Sequence, residues 1–120
     1  IPGARRWNAV HIARVDDETV HVSFPGVALR RTHVDLGMAD ARHGRPRRMF
    51  ELLVALCEGH GVFLSTRFGS ASATKKLVSR LGEELCEVFG LKESPFHPYR
   101  PKEGWQARFI ASPSHLDARS

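Results

Sequence analysis

The side chains best placed for chemistry lie in one stretch, SASATKKLVSRLGEEL, from Ser70 to Leu85. As a helix it carries Lys75, Lys76 and Arg80 in its N-terminal half, and Glu83, Glu84 and, just beyond, Glu87 in its C-terminal half. A helix dipole favours the reverse arrangement by roughly 0.3–1 kcal/mol for each charge near an end. Cations kept at the disfavoured end become favourable once an anion sits there, because the free backbone N–H groups and the cations attract it together. The acidic half would point away from such a partner and oppose docking in the reversed sense.

Other chemistries find less support. Hydrolytic metal sites need clustered carboxylates, whereas the acids that do group here fall in a turn, Asp16 to Glu18, or along the helix just described, without an obvious His partner. Ser65 and Ser79 lack a recognisable activating neighbour, and neither a phosphate-cradling Gly-rich loop nor a nucleophile elbow occurs. Cys57-Glu-Gly-His60 has the look of half a zinc site, but no second pair follows at usable spacing. Cys57 and Cys86 read instead as small buried thiols of a reducing compartment. His11 and His21 fall on the polar phase of strand-like alternation, where solvent exposure is the ordinary outcome. The expectation is a chain without catalysis, cofactor or metal.

Eighteen Lys and Arg against thirteen Asp and Glu leave a formal charge of +5, a sign that suits an anionic partner. A length of 120 residues suits one domain with a single core. No apolar run approaches the ~18 residues of a membrane span, and no signal-peptide pattern opens the chain. The expected location is cytoplasmic and nucleoid-associated, with no membrane partner.

Periodicity and punctuation supply the elements that must position the basic helix. Residues 1–8 read as a boundary segment, 9–111 as the domain and 112–120 as a polar tail. Val10 and Ile12, then Val20, Val22 and Phe24, alternate with polar residues on either side of Asp16-Asp17-Glu18, which predicts a β-hairpin. Pro25-Gly26 punctuates it, and one or two further strands carry this β region to residue 37. A loop holding Arg42, Arg45, Arg47 and Arg48 leads to Pro46, which suits the first turn of a helix running to Glu58. Met49, Phe50, Leu52, Leu53, Leu56 and Cys57 form its apolar stripe and Gly59 its stop. Val62 to Leu64 can form a short strand, and the residues around Ser65 to Gly69 leave room for little more than a helical turn. The basic helix spans about 72–89, capped by Ser70 or Ser72 and closed by Gly90, with Leu77, Val78, Leu81, Leu85, Val88 and Phe89 inward. Pro101-Lys-Glu-Gly104 is a turn signal inside a terminal hairpin, about 96–110, in which Trp105 alternates with Gln106 and anchors the hairpin to the helix.

Three local runs carry a resemblance. MFELLVALCEGHGVFLS looks like the first helix and glycine turn of the winged helix-turn-helix effector domains of OmpR/PhoB-type response regulators, LVSRLGEEL is similar to their recognition-helix core, and KEGWQARF looks like their closing wing strand. The resemblance implies an α+β fold: an N-terminal antiparallel β-sheet, about three helices with the second short, and a C-terminal β-hairpin wing. It implies sequence-specific binding of double-stranded DNA by a bacterial transcription regulator, with the recognition helix in the major groove and the wing on backbone or minor groove. RNA polymerase and a second copy of the chain are further implied partners. The short connector departs from the family pattern and puts any polymerase-contacting loop there in doubt.

On that reading Thr74, Lys75, Ser79 and Arg80 reach base edges and Lys76 meets phosphate. Arg100, Lys102 and Arg108 are wing contacts, and Arg67, Arg47 and Arg48 add backbone contacts. For Arg47 and Arg48, solubility alone accounts for the charge somewhat better than contact does. Phe96 and Tyr99 would be stacking platforms for a single-stranded ligand. The alternative function is a protein-interaction module that uses Val62, Phe63 and Leu64 or the edge of the N-terminal sheet.

Overall fold

A computed structural model describes residues 1, 3–64 and 68–114. The chain folds as a mixed α+β structure in which one α-helix packs on a four-stranded sheet and a second packs on the first. Strands β1 (His11–Arg14), β2 (Thr19–Phe24) and β3 (Val27–Thr32) form an antiparallel meander. The first turn is set by Asp16, whose carboxylate accepts from the Glu18 amide at 2.8 Å and is held below the usual carboxylate range by that bond. Alternation works as the sequence predicts on the inner face, where Ile12, Val20, Val22 and Phe24 are buried. Residues 33–37 form turns instead of a further strand.

Helix α1 (Arg48–Glu58) starts after Arg47, two residues later than Pro46 suggests. Pro46 bridges Ala39 across the arginine loop, a pairing that needs no N–H from proline. Of the eight positions from Phe50 to Cys57 all but Glu51 are buried, because α1 touches β1, the other helix and two further strands at once. A two-residue strand β4 (Val62–Phe63) follows. Helix α2 (Ala71–Phe89) turns Val78, Leu81, Leu85 and Phe89 to the core. Among the described residues there are thus two α-helices and not three. The expected short second helix falls largely on residues 65–67, outside the described residues.

The C-terminal segment departs most from the sequence reading. Strand β5 (Trp105–Gln106) pairs with β4, and strand β6 (Ile110–Ser112) leaves the hairpin to run parallel to β1. The sheet is therefore mixed, in the order β3-β2-β1-β6, not purely antiparallel. Ser112, assigned to a polar tail, is a buried member of that sheet, while residues 115–120 lie outside the described residues. Trp7, assigned to a boundary, begins a short 3-10 helix (Trp7–Ala9) and packs edge-on against Phe89 with ring centroids 5.4 Å apart. Its indole N–H donates to the Glu93 carbonyl at 2.7 Å, the partner that lets a buried tryptophan keep its polar atom satisfied.

Candidate functional site

The basic helix is fixed at both ends by local chemistry. Ser70 caps it, its hydroxyl accepting from the Ala73 amide at 3.1 Å, and Gly90 ends it in the left-handed region at φ 68°. Because helical positions start at Ala71, Lys75 and Lys76 are the fifth and sixth residues. They sit just past the first turn, where the dipole acts most strongly, so their unfavourable placement is milder than sequence alone implies.

Lys75, Lys76, Ser79 and Arg80 are all exposed. Among the described residues no hydrogen bond or ion pair joins Lys75, Lys76 or Arg80 to another group. Thr74 is the exception in the predicted set. It is buried, and its hydroxyl donates to the Ser70 carbonyl at 3.0 Å, so it cannot reach a base edge. A threonine can occupy a core-facing position when the carbonyl four residues back satisfies its one donor. Ser79 turns toward the groove between α2 and the hairpin base, beside Phe96 and Trp105.

The hairpin lies along this same side of α2. Isolated bridges join Phe96 to Ala107 and Arg100 to Gly104, and its base packs at Gly82 of α2 through Pro95 and Phe96. Gly104 has φ 73° and its amide donates to the Arg100 carbonyl, at 2.6 Å. A Cβ at Gly104 would stand 2.4 Å from the Phe63 carbonyl oxygen, so the turn rests directly on β4. This close approach holds the tip residues Arg100 and Lys102 outward, with the Arg100 side chain 73% exposed and only a loose 3.5 Å pairing to Glu103. Such an exposed pair has little hold on its partners.

Between α2 and the hairpin tip lies an open cleft of about 470 Å³, lined in part by Phe63, Leu64, Lys75, Tyr99 and Trp105. Lys75 and the tip thus face one space. Trp105 is half-buried, stacked obliquely on Tyr99 with centroids 4.6 Å apart and paired with Phe63 of β4, and it lines the grooves on the hairpin side of α2. Tyr99 is 49% exposed, whereas Phe96 is buried against Phe109 and offers no stacking platform. Phe63 is likewise buried, which leaves Val62 and Leu64 as the exposed apolar residues of the connector. The cleft itself was not visible in the sequence; its only hint was aromatic residues flanking a Gly-ended turn.

The remaining predicted residues are dispersed. Arg108 sits at the hairpin base, its guanidinium donating to the Phe96 carbonyl at 3.3 Å, where it borders both the groove that holds Ser79 and a depression near Trp7 and Glu93. Arg47 is the N-cap residue of α1 and donates to the Ala39 carbonyl at 3.0 Å; Arg48 is exposed beside it. Among the described residues no contact brings either to the cleft. Arg67 lies outside the described residues.

The titratable groups elsewhere have structural surroundings. His11 is half-buried, not open to solvent, with Nε2 2.7 Å from the Ser112 hydroxyl oxygen, and burial lowers its pKa. His21 is half-buried too, and His33 is buried with its Nε2 donating to the Gly44 carbonyl at 2.7 Å. Burial pushes the Cys57 thiol up to about 12. Among the described residues no three His, Cys, Asp or Glu side chains gather as a metal site requires, and no helix is long and apolar enough to cross a membrane. No family model matches this chain, nor does any curated protein or solved structure.

Proposed function

We propose that the chain binds double-stranded DNA as the DNA-binding domain of a bacterial transcription regulator. The N-terminal half of α2 enters the major groove while the hairpin tip meets the adjacent backbone or minor groove. The observation that carries this reading is that Lys75 and the tip bearing Arg100 and Lys102 border one cleft, with Lys75, Lys76 and Arg80 free of partners among the described residues. Unpaired cations on a rigid helix present their charge to phosphate without first breaking a bond. The element order supports the winged helix-turn-helix form of the proposal: a sheet, a helix, a short strand pairing with a hairpin, and between them a long exposed helix.

The contact set follows from placement. Lys75, Lys76, Arg80, Arg100 and Lys102 form the interface, Arg80 being the residue type suited to bidentate contact with guanine. Arg47 and Arg48 are left out because they lie at the start of α1, and Arg108 because its guanidinium is already bonded to the Phe96 carbonyl at the hairpin base. Titration of a labelled duplex with the wild-type chain across salt tests the proposal; binding insensitive to salt contradicts it.

A second reading, a protein-interaction module, is favoured by Leu64, which is 63% exposed at the end of β4. Capture of a protein partner that resists both nuclease and salt would support it over DNA binding.

A further inference from the structure

The cleft between α2 and the hairpin has features that duplex binding does not require. Its volume, about 470 Å³, falls within the range of small-molecule pockets. Its walls are held in place: the Gly104 turn lies on the Phe63 carbonyl, and the Phe63↔Trp105 pair closes the bottom. Leu64 and Tyr99 expose apolar surface at its mouth, 63% and 49% of the residue respectively. The tilted Tyr99–Trp105 pair presents aromatic surface, and the ammonium of Lys75, which has no partner among the described residues, supplies one positive charge at the rim.

We propose that this cleft binds a small planar aromatic anion, and that its occupant displaces DNA from the helix. The ring system lies against Tyr99 and Trp105, its apolar edge covers Leu64, and its carboxylate meets the Lys75 ammonium. A neutral aromatic of the same shape gains the stacking but not the ion pair, and an aliphatic acid gains the ion pair but not the stacking. The second half of the proposal rests on the DNA reading above: a carboxylate paired with Lys75 cancels the charge that draws a phosphate and repels the phosphate itself, so the small molecule acts as a release signal. The first half stands without it.

The probe is 1-naphthoate, with 1-naphthylmethanol as the neutral control. The chain has two tryptophans, which makes the indole N–H signals a built-in comparison. In a nitrogen-15-labelled sample, naphthoate shifts the Trp105 indole resonance saturably, while that of Trp7, buried and bonded to Glu93, stays in place. Lys75→Gln weakens naphthoate by about tenfold or more and leaves naphthylmethanol unchanged, whereas Tyr99→Ala weakens both. Absence of a saturable Trp105 shift at millimolar naphthoate, or equal affinity in Lys75→Gln, overturns the site. Saturating naphthoate also weakens duplex binding by the wild type. If naphthoate binds and duplex affinity does not change, the release mechanism is wrong; if no duplex binds at all, the DNA reading fails while the ligand site stands.

Discussion

Replacing Lys75, Lys76 and Arg80 together by glutamine removes three of the five cations assigned to the interface. Each phosphate neutralised contributes about −0.9 to the slope of log K against log salt, so the wild type has a slope near −4.5 and the triple variant near −1.8. The lost difference of about 2.7 in slope amounts, between molar and tenth-molar salt, to roughly a 500-fold loss of affinity at the lower concentration. Fluorescence anisotropy of a labelled random-sequence duplex, titrated at several salt concentrations, reads both quantities. Stability serves as the internal control. The three side chains are exposed and have no partner among the described residues, so the melting temperature stays within a few degrees of wild type or rises slightly, since cations near a helix N-terminus oppose the dipole. A variant that keeps the wild-type slope and affinity while folded refutes the assignment. The same loss appearing instead on neutralising Arg47 and Arg48 moves the interface to the start of α1.

Gly104→Ala combines a positive φ with a Cβ pressed on the Phe63 carbonyl, so it destabilises by about 2–4 kcal/mol in urea titration; a neutral effect contradicts the docking of the hairpin on β4. Of the two thiols, half-buried Cys86 reacts with a disulfide reagent in the native chain, whereas Cys57, buried and raised to about 12, reacts only on unfolding; equal rates contradict the packing of α1. His11 has a folded pKa below its unfolded value of 6.5, so the unfolded chain takes up the proton first. Its contribution is fully present above 6.5 and is lost as pH falls from there toward the lowered folded value. His11→Asn therefore flattens the decline in stability between about pH 7.5 and 5.5, and an unchanged decline contradicts the burial of the imidazole.

The elements with strong local signals were legible. The β1–β2 hairpin shows in its alternation around an acidic turn, and α1 and α2 show in their apolar stripes, with Ser70 and Gly90 marking the ends of α2. The basic face of α2 was legible for the same reason, since charge and period together put Lys76 and Arg80 outward. What failed was non-local. Nothing in the run Ile110 to Ser112 says that it joins β1 in parallel, because the signal for pairing lies in the partner strand about a hundred residues away. Trp7 could be placed in the core only by knowing that the Glu93 carbonyl waits for its N–H. Thr74 faces inward although its type is polar, because the Ser70 carbonyl satisfies its hydroxyl, and the bond of Arg108 to the Phe96 carbonyl leaves no signal in the local pattern. The cleft depends on the approach of Gly104 to β4, a backbone contact that no periodicity encodes.

On the proposed function one surface, formed by the first half of α2 and the hairpin tip, meets the duplex. Amide chemical-shift mapping of the labelled chain during titration with a short duplex tests it residue by residue. The account predicts that the largest shifts fall on Lys75, Lys76, Ser79, Arg80 and residues 99–104, with β3 and the arginine loop at residues 39–47 little changed. Shifts concentrated on that loop or the sheet edge, with α2 and the tip silent, would contradict it.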